Sequence, residues 1–573
     1  MPRSRLHNLA WQFRGASGWP RVVLARPAGT TAGEVLAVTR TPTLRHRLPV
    51  AVACAAWLGL AAASALAEVG PPTSAAPYCP IDPPLLDAAA HLRAASLDVR
   101  GTPPSIDEYD ALPAAAKMTP EATLDAWLKS PAWAQRAVRR HRDLLWNSLA
   151  NLSGRLMPPS SNLGVTYGLY YRSLAAPAVR GGTVPCLDEP VTLTDNGDIV
   201  FKAQPDGTKK EGYVLVNPYW NPTATIKVCA FDAQDNETSP NGTYCGATGA
   251  LADLACGCGP NLRFCIGGGA GGVLVESLAA SLDRQIQMWA EQGRPYTDLL
   301  TEKVLWVNGP IVHYLKFQAK TPGQLRLVPY AINVAKLPDL QWTAKDTWAP
   351  VLLDDGHAGI LTHPAFLLRF QTQRARANRF FNVFLCQPFQ APDTGIPVDG
   401  ISAVQEPDLQ KRAGCKYCHV LLEPAAGFWG RWTPYGAGFL DPTTFPPQRD
   451  DCLTCALTGA GCSTECKLFY LTKAYAPPEK PWLGWLISYN YAQPQHLKHI
   501  DQGPTLLVKT ALADNRLPRC VARTTAEWLL GRGLVADEAP WADQLAVQFA
   551  TSNYDYRKLV KSVVLSDAYR RAP

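Results

Sequence analysis

The stretch Cys415-Lys416-Tyr417-Cys418-His419 is the one on which the rest of the chain turns. It spells C-x-x-C-H, the attachment pattern of a c-type haem. Two thiols separated by two residues can each form a thioether to one vinyl group. The histidine directly after the second thiol then presents its imidazole to the iron as an axial ligand. The expected cofactor is therefore one covalent haem c, bound by Cys415, Cys418 and His419, with His419 as the proximal ligand of the haem iron. The same residues also allow a blander reading as a disulfide or half of a zinc site.

Around the motif the sequence is uneven. Upstream, Leu352 to Cys386 is apolar and aromatic with interleaved basic residues. There Gly359-Ile360-Leu361-Thr362-His363-Pro364 leads into Ala365-Phe366-Leu367-Leu368, and Phe380, Phe381, Val383 and Phe384 suggest a second helix. A proline-rich linker is expected from Gln387 to about Pro407. Downstream, Phe428, Trp429 and Trp432 could wall a haem, although such rings are usually core. Farther on, Cys452-x2-Cys455-x6-Cys462-x3-Cys466 forms a compact cluster. Neither pair precedes a histidine, so no second haem is expected. Cys452 and Cys455 could complete a stretched zinc ribbon with Cys415 and Cys418, but free thiolates are disfavoured after export.

The distal ligand is open. The last methionine, Met288, lies well upstream of the motif. The distal candidates are His363, His496 and His499, with His313 and His357 as further upstream histidines. His496 and His499 are three residues apart and could share a helical face, with Pro494 nearby.

The compartment follows from the N-terminus. Residues 1–67 hold eight arginines, no lysine and one acid, Glu34, while the remainder has 47 basic and 47 acidic side chains. A neutral body gives no electrostatic case for nucleic acid. Arg45-His46-Arg47, an apolar stretch from Val50 to Ala63, and Ala65-Leu66-Ala67 read as a signal peptide cleaved after Ala67. The expected location is periplasmic or extracellular, with membrane attachment only if that segment is uncleaved. Cys54 lies inside the apolar run. Setting it and the two motif thiols aside leaves 13 of the 16 cysteines. In an exported chain most should be disulfides, with one left over.

The fold class expected is mainly α: a multi-module helical protein with a C-terminal cytochrome-c-like haem module and a small disulfide-rich β insertion. Expected segments are 1–67 signal peptide, 68–179 N-terminal helical module, 180–265 cysteine-rich β insertion, 266–345 helical module, 346–475 haem module and 476–573 C-terminal helical module. Leu85, Leu86, Ala89 and Leu92 share a helical face. Ser105 to Glu108 is a capping box, and Thr119-Pro120 and Ser130-Pro131 each suggest an N-cap followed by proline. The last should open a helix to about Leu152, with Arg136, Arg139, Arg140 and Arg142 solvated or paired with carboxylates. His141 on that helix reads as packed. Residues 180–265 carry β-prone runs at 199–201, 213–216 and 225–228 between turn signals. Cys256-Gly257-Cys258 and Cys265 lack nearby histidines, so disulfides are preferred to metal there. Gly267 to Gly272 lacks the lysine of a phosphate loop and reads as a hinge before a helix carrying Leu274, Leu278, Leu282, Ile286 and Trp289.

Several stretches together resemble the secreted cytochrome-C-like proteins first described in planctomycetes, built from serial modules. Leu97 to Ser105 with Glu108 is similar to their N-terminal module. Gly293 to Thr297 and Val307 to Pro310 resemble the next. Ala358 to Thr362, Cys386, the C-x-x-C-H and Pro424 resemble the cytochrome-like module, and Tyr554 to Tyr556 with Ser566 to Tyr569 resemble the last. The likeness covers most of residues 85–570, without the β insertion or the cluster at 452–466. It implies a secreted haem protein and supplies no reaction.

Together these residues lead to an exported mono-haem c-type cytochrome-like protein that transfers electrons to a redox partner protein or a small-molecule donor or acceptor. A haem-dependent peroxidase or oxidase is the alternative, so whether the chain is an enzyme stays open. A non-haem, disulfide-rich binding protein is the third reading.

Overall fold

Local signals account for most of the helices. The computed structural model describes residues 84–146, 148–149, 161–247, 250–319, 332–389 and 406–571. The leader, its cleavage site and Cys79 lie outside the described residues, as does most of the linker before the motif. Helix α1 (Ala88–Arg100) is capped by the Asp87 carboxylate and stopped by Gly101 in the left-handed region. Helix α2 (Ile106–Asp110) carries the Ser105/Glu108 capping box. Helix α3 (Glu121–Trp127) begins one residue later than its signal suggested. Thr119 does not cap it; its hydroxyl and backbone N–H both bond the buried His91. Helix α4 (Pro131–Leu145) is capped by Ser130 and ends at Trp146, short of Leu152. Of its arginines, Arg139 is exposed and Arg142 is paired with Asp283, as expected, whereas Arg136 and Arg140 donate to the backbone carbonyls of Asp98 and Thr524. Helix α5 (Ala270–Gln292) follows two glycines at positive φ and stops at Gly293.

Helices dominate, and their packing crosses the expected boundaries. Helices α4 and α5 meet through Trp133, Trp289, Tyr296, Phe549 and Tyr556, with His141 among them donating and accepting toward Ala137 and Tyr296. One hydrophobic core takes residues from Leu92 to Tyr569. The N-terminal, middle, C-x-x-C-H and C-terminal segments therefore share a core, and residues 81–573 form one compact unit. A second, smaller core spans Leu440 to Ile500, so the boundary expected at 475/476 runs through it. The two ends of the described chain close on each other. The Leu86 N–H donates to the Arg570 carbonyl, Arg570 donates to the Leu86 and Lys117 carbonyls, and the Tyr569 hydroxyl donates to Asp98.

The β insertion starts earlier than residue 180. Strands β1 (Leu163–Thr166) and β2 (Leu169–Arg172) form a hairpin whose two loop residues, Tyr167 and Gly168, both have positive φ, a turn that matches strand twist. Strands β3 (Tyr213–Val216) and β4 (Ile226–Cys229) complete a sheet ordered β1-β2-β4-β3, with β2 and β4 parallel. The run at 199–201 contributes only a bridge from Ile199. All six cysteines here pair, as Cys186–Cys229, Cys245–Cys256 and Cys258–Cys265. Beneath the sheet, Arg172 and Arg180 are buried against Asp232 and Glu211, and breaking any one partner would strand a buried charge.

The motif helix is placed by two further elements. Helix α6 (Gln373–Phe384) is capped by Thr372 and packs beside it. Its Arg376 is fully buried and, among the described residues, pairs with no carboxylate; it donates to the carbonyls of Leu367, Phe370, Thr433 and Gly436. Burial lowers its guanidinium to about 9. These bonds pin the loop after Trp432 to the helix. The disulfide Cys386–Cys520 ties the end of α6 to a C-terminal helix 134 residues away.

Candidate functional site

Helix α7 (Lys416–Ala426) carries the motif. Asp408 and Arg412 make the turn that starts it: the N–H groups of Lys411 and Arg412 donate to the Asp408 carbonyl, and those of Cys415 and Lys416 to the Arg412 carbonyl. Gly414, at positive φ, lets the chain enter the helix. The first turn then sets Cys415, Cys418 and His419 on neighbouring positions of one face, because residues three and four apart lie one above another. All three are half-buried. Twelve other described cysteines are paired in six disulfides, and Cys415 and Cys418 are in none.

The His419 imidazole is oriented. Its Nδ1–H donates to the Glu423 carboxylate at 2.5 Å, one helical turn on. Glu423 is in turn clamped by Arg374 of α6, at 2.7 Å and 3.1 Å. With Nδ1 protonated and engaged, the Nε2 lone pair is left to bind a metal. Among the described residues no hydrogen bond is made to Nε2. A carboxylate behind a ligating imidazole fixes its ring and raises its basicity. The Arg374–Glu423–His419 relay was not anticipated. The H-x-x-x-E spacing of 419 and 423 was a visible clue; Arg374, far away in sequence, left none.

The distal candidates separate. His499 reaches the far end of the motif helix, donating from Nδ1 to the Pro424 carbonyl at 2.9 Å. Pro424 interrupts the helix ladder but keeps its own carbonyl for this bond. The His499 ring stacks on Phe428 at 4.1 Å between centroids, and His496 lies 5.3 Å from His499. Both imidazoles are held below the ordinary histidine range, first by burial; His499 and then Lys498 add to this on His496, while on His499 the bond to the Pro424 carbonyl opposes it and Lys498 adds to it. That favours the neutral, metal-binding form. His496, Glu423 and Pro424 line a cavity of about 40 Å³ together with Ser488 and Asn490.

His363 is elsewhere and committed. Its Nδ1 caps the helix Pro364–Arg369 by accepting from the Ala365 N–H, and its Nε2 bonds Ser281. Burial holds it down to about 3. With both ring nitrogens used it has none to offer iron, which corrects its place among the distal candidates. His313 is also packed, stacked on Tyr219 with Nε2 bonded to the Arg263 carbonyl. His357 is buried edge-on to Trp432. Met288 lies on α5, half-buried.

The zinc-ribbon alternative fails on its second half. Cys452 pairs with Cys466 and Cys455 with Cys462, so neither thiolate is left for a metal. Phe428, Trp429 and Trp432 are core residues beneath the motif helix. The six disulfides fit an oxidising compartment. Among the described residues no helix is long and apolar enough to cross a membrane. No protein family, no curated protein and no solved structure was found to match the chain. The resemblance to planctomycete cytochrome-C-like proteins therefore rests on the quoted residues alone.

Proposed function

We propose that this is an exported, mono-haem c-type cytochrome-like protein that transfers electrons. One observation carries the reading. Of the fourteen cysteines in the described residues, the two left out of disulfides are the two of C-x-x-C-H. Cys415 and Cys418 would hold the group through thioethers, and His419 Nε2 would ligate its iron. Bound there, a haem supplies a one-electron couple. Glu423 orients the proximal imidazole and accepts its Nδ1 proton, and Arg374 fixes the carboxylate in place. His499 or His496 would be the further imidazole available to hold the group. The leader, cleaved after Ala67, would deliver the chain to the periplasm or beyond, where its partner is a redox protein or a small donor or acceptor.

The carboxylate behind His419 favours a second reading. A carboxylate hydrogen-bonded to a ligating imidazole increases electron donation from that ligand, which would support peroxidase or oxidase chemistry. A reduced-minus-oxidised spectrum of protein matured with the cytochrome assembly machinery separates the two. Sharp c-type bands unaffected by carbon monoxide or cyanide support electron transfer. A ligand-sensitive spectrum with peroxide turnover supports the enzyme. No c-type bands after maturation would overturn both and leave a disulfide-rich binding protein.

A further inference from the structure

Ten of the twelve bridged cysteines are buried; Cys386 and Cys462 are the two that are not. Their surroundings differ in charge. Cys462 follows a short helix opened by Asp450 and Asp451 and precedes Glu465; the one arginine there, Arg449, is committed to Asp451 and Glu465. Cys386 and Cys520 instead form part of the wall of a cavity of about 440 Å³. Three arginines line it, Arg516, Arg519 and Arg523, against one acid, Asp543. All three are paired: Arg519 with Asp543 itself, and Arg516 and Arg523 with Asp514 and Glu527, two acids that do not face the cavity, so its lining keeps an excess of basic groups. The opposite wall is apolar, from Leu534, Val535 and Ala539. The size suits a small molecule, and the basic side suits an anion.

We propose that Cys386–Cys520 is an exchange-active bridge, and that this cavity admits a small anionic thiol to Cys386. The incoming thiolate sulfur attacks Cys386 Sγ along the bridge axis. A new S–S bond forms to Cys386, the Cys386–Cys520 bond breaks, and its electron pair leaves on Cys520 Sγ as a thiolate. Arginines of the same helix stabilise that leaving thiolate, which lowers the cost of departure. Attack by Cys520 on the mixed disulfide reverses the step and releases the thiol, so no oxidant is consumed. The site is independent of any haem. It bears on the motif helix all the same, because the bridge anchors the helix that carries Arg374.

The test uses the purified full-length protein and three probes of similar size: 3-mercaptopropionate, 2-mercaptoethanol and cysteamine. Adducts are trapped by acid and mapped by peptide mass, with rates normalised to thiolate fraction. The expected first adduct is at Cys386, with the anionic probe faster than the neutral one by roughly tenfold at low salt and the cationic one slowest. Salt should compress that order. The double variant Arg519→Gln/Arg523→Gln alters two exposed side chains and should remove most of the anion preference. First attack at Cys462, equal rates for the three probes, an unchanged preference in the double variant, or no adduct at Cys386 would each overturn the proposal.

Discussion

Cys415/Cys418 and Cys452/Cys455 have the same two-residue spacing and opposite fates. Both pairs sit on the first turns of helices, Lys416–Ala426 and Asp450–Thr458, so each sets its sulfurs close together on one face. The second pair has cysteines 7 and 14 residues further on, and each sulfur pairs outward with one of them. The first pair has no such neighbours and is succeeded by a histidine held by a carboxylate. Spacing alone therefore does not assign a C-x-x-C. The residues in the next few turns of chain decide it.

The largest expected effect separates the pairs outright. Cys415→Ala/Cys418→Ala should abolish covalent haem, while Cys452→Ser/Cys466→Ser should leave it, read as haem-stained bands on denaturing gels. Haem retained in the first variant would break the comparison. Next in size is a stability contrast among bridges. Loss of Cys386–Cys520, which closes 134 residues, should cost about 5 kcal/mol, against about 2 kcal/mol for Cys455–Cys462, which closes 7, in denaturant titrations.

The histidines sharpen the same contrast between committed and open groups. His363 titrates near 3 in the folded chain, below its unfolded value of 6.5. Between those limits the unfolded state binds the extra proton, so stability is present above pH 6.5 and falls as pH drops. The slope is about 1.4 kcal/mol per pH unit for this group. His363→Asn, which can cap without titrating, should flatten its share of that slope in pH-dependent unfolding. Glu423→Gln should keep the covalent haem and raise its midpoint potential by on the order of 59 mV, one tenfold step for a one-electron couple, in a redox titration. Smallest is Leu421→Ser on the exposed side of the motif helix, expected to change stability by less than about 0.5 kcal/mol by thermal melt.

Local chemistry was legible and long-range chemistry was not. Ser105, Ser130 and Gly293 marked helix ends because caps and left-handed stops are decided within one turn. The β insertion and its disulfides were visible in turn signals and cysteine density. Thr119 misled because its polar group was claimed by His91, a partner brought by tertiary packing. His363 misled for the same reason: a histidine before proline can cap a helix as well as bind iron. The separate modules dissolved because the apolar faces of Trp133, Trp289 and Tyr556 complete one another. At the candidate site, the grouping of Cys415, Cys418 and His419 on one helical turn follows from their adjacency, whereas the contact of Arg374 with Glu423 depends on how two helices pack.

The closure of residue 86 onto residue 570 sets an order of events. A polypeptide emerges amino end first, whether from a ribosome or through a membrane pore. Helix α1 then waits for nearly the whole chain before His91 can meet the Val564 carbonyl and Asp98 can meet Tyr569. Helix α4 can cover part of its apolar face as soon as it is made, but the buried His91 and the Asp98 carboxylate gain these partners only when the last residues arrive. Nascent chains halted before residue 556 should thus stay protease-sensitive and depend on holding factors, however well their earlier segments have formed.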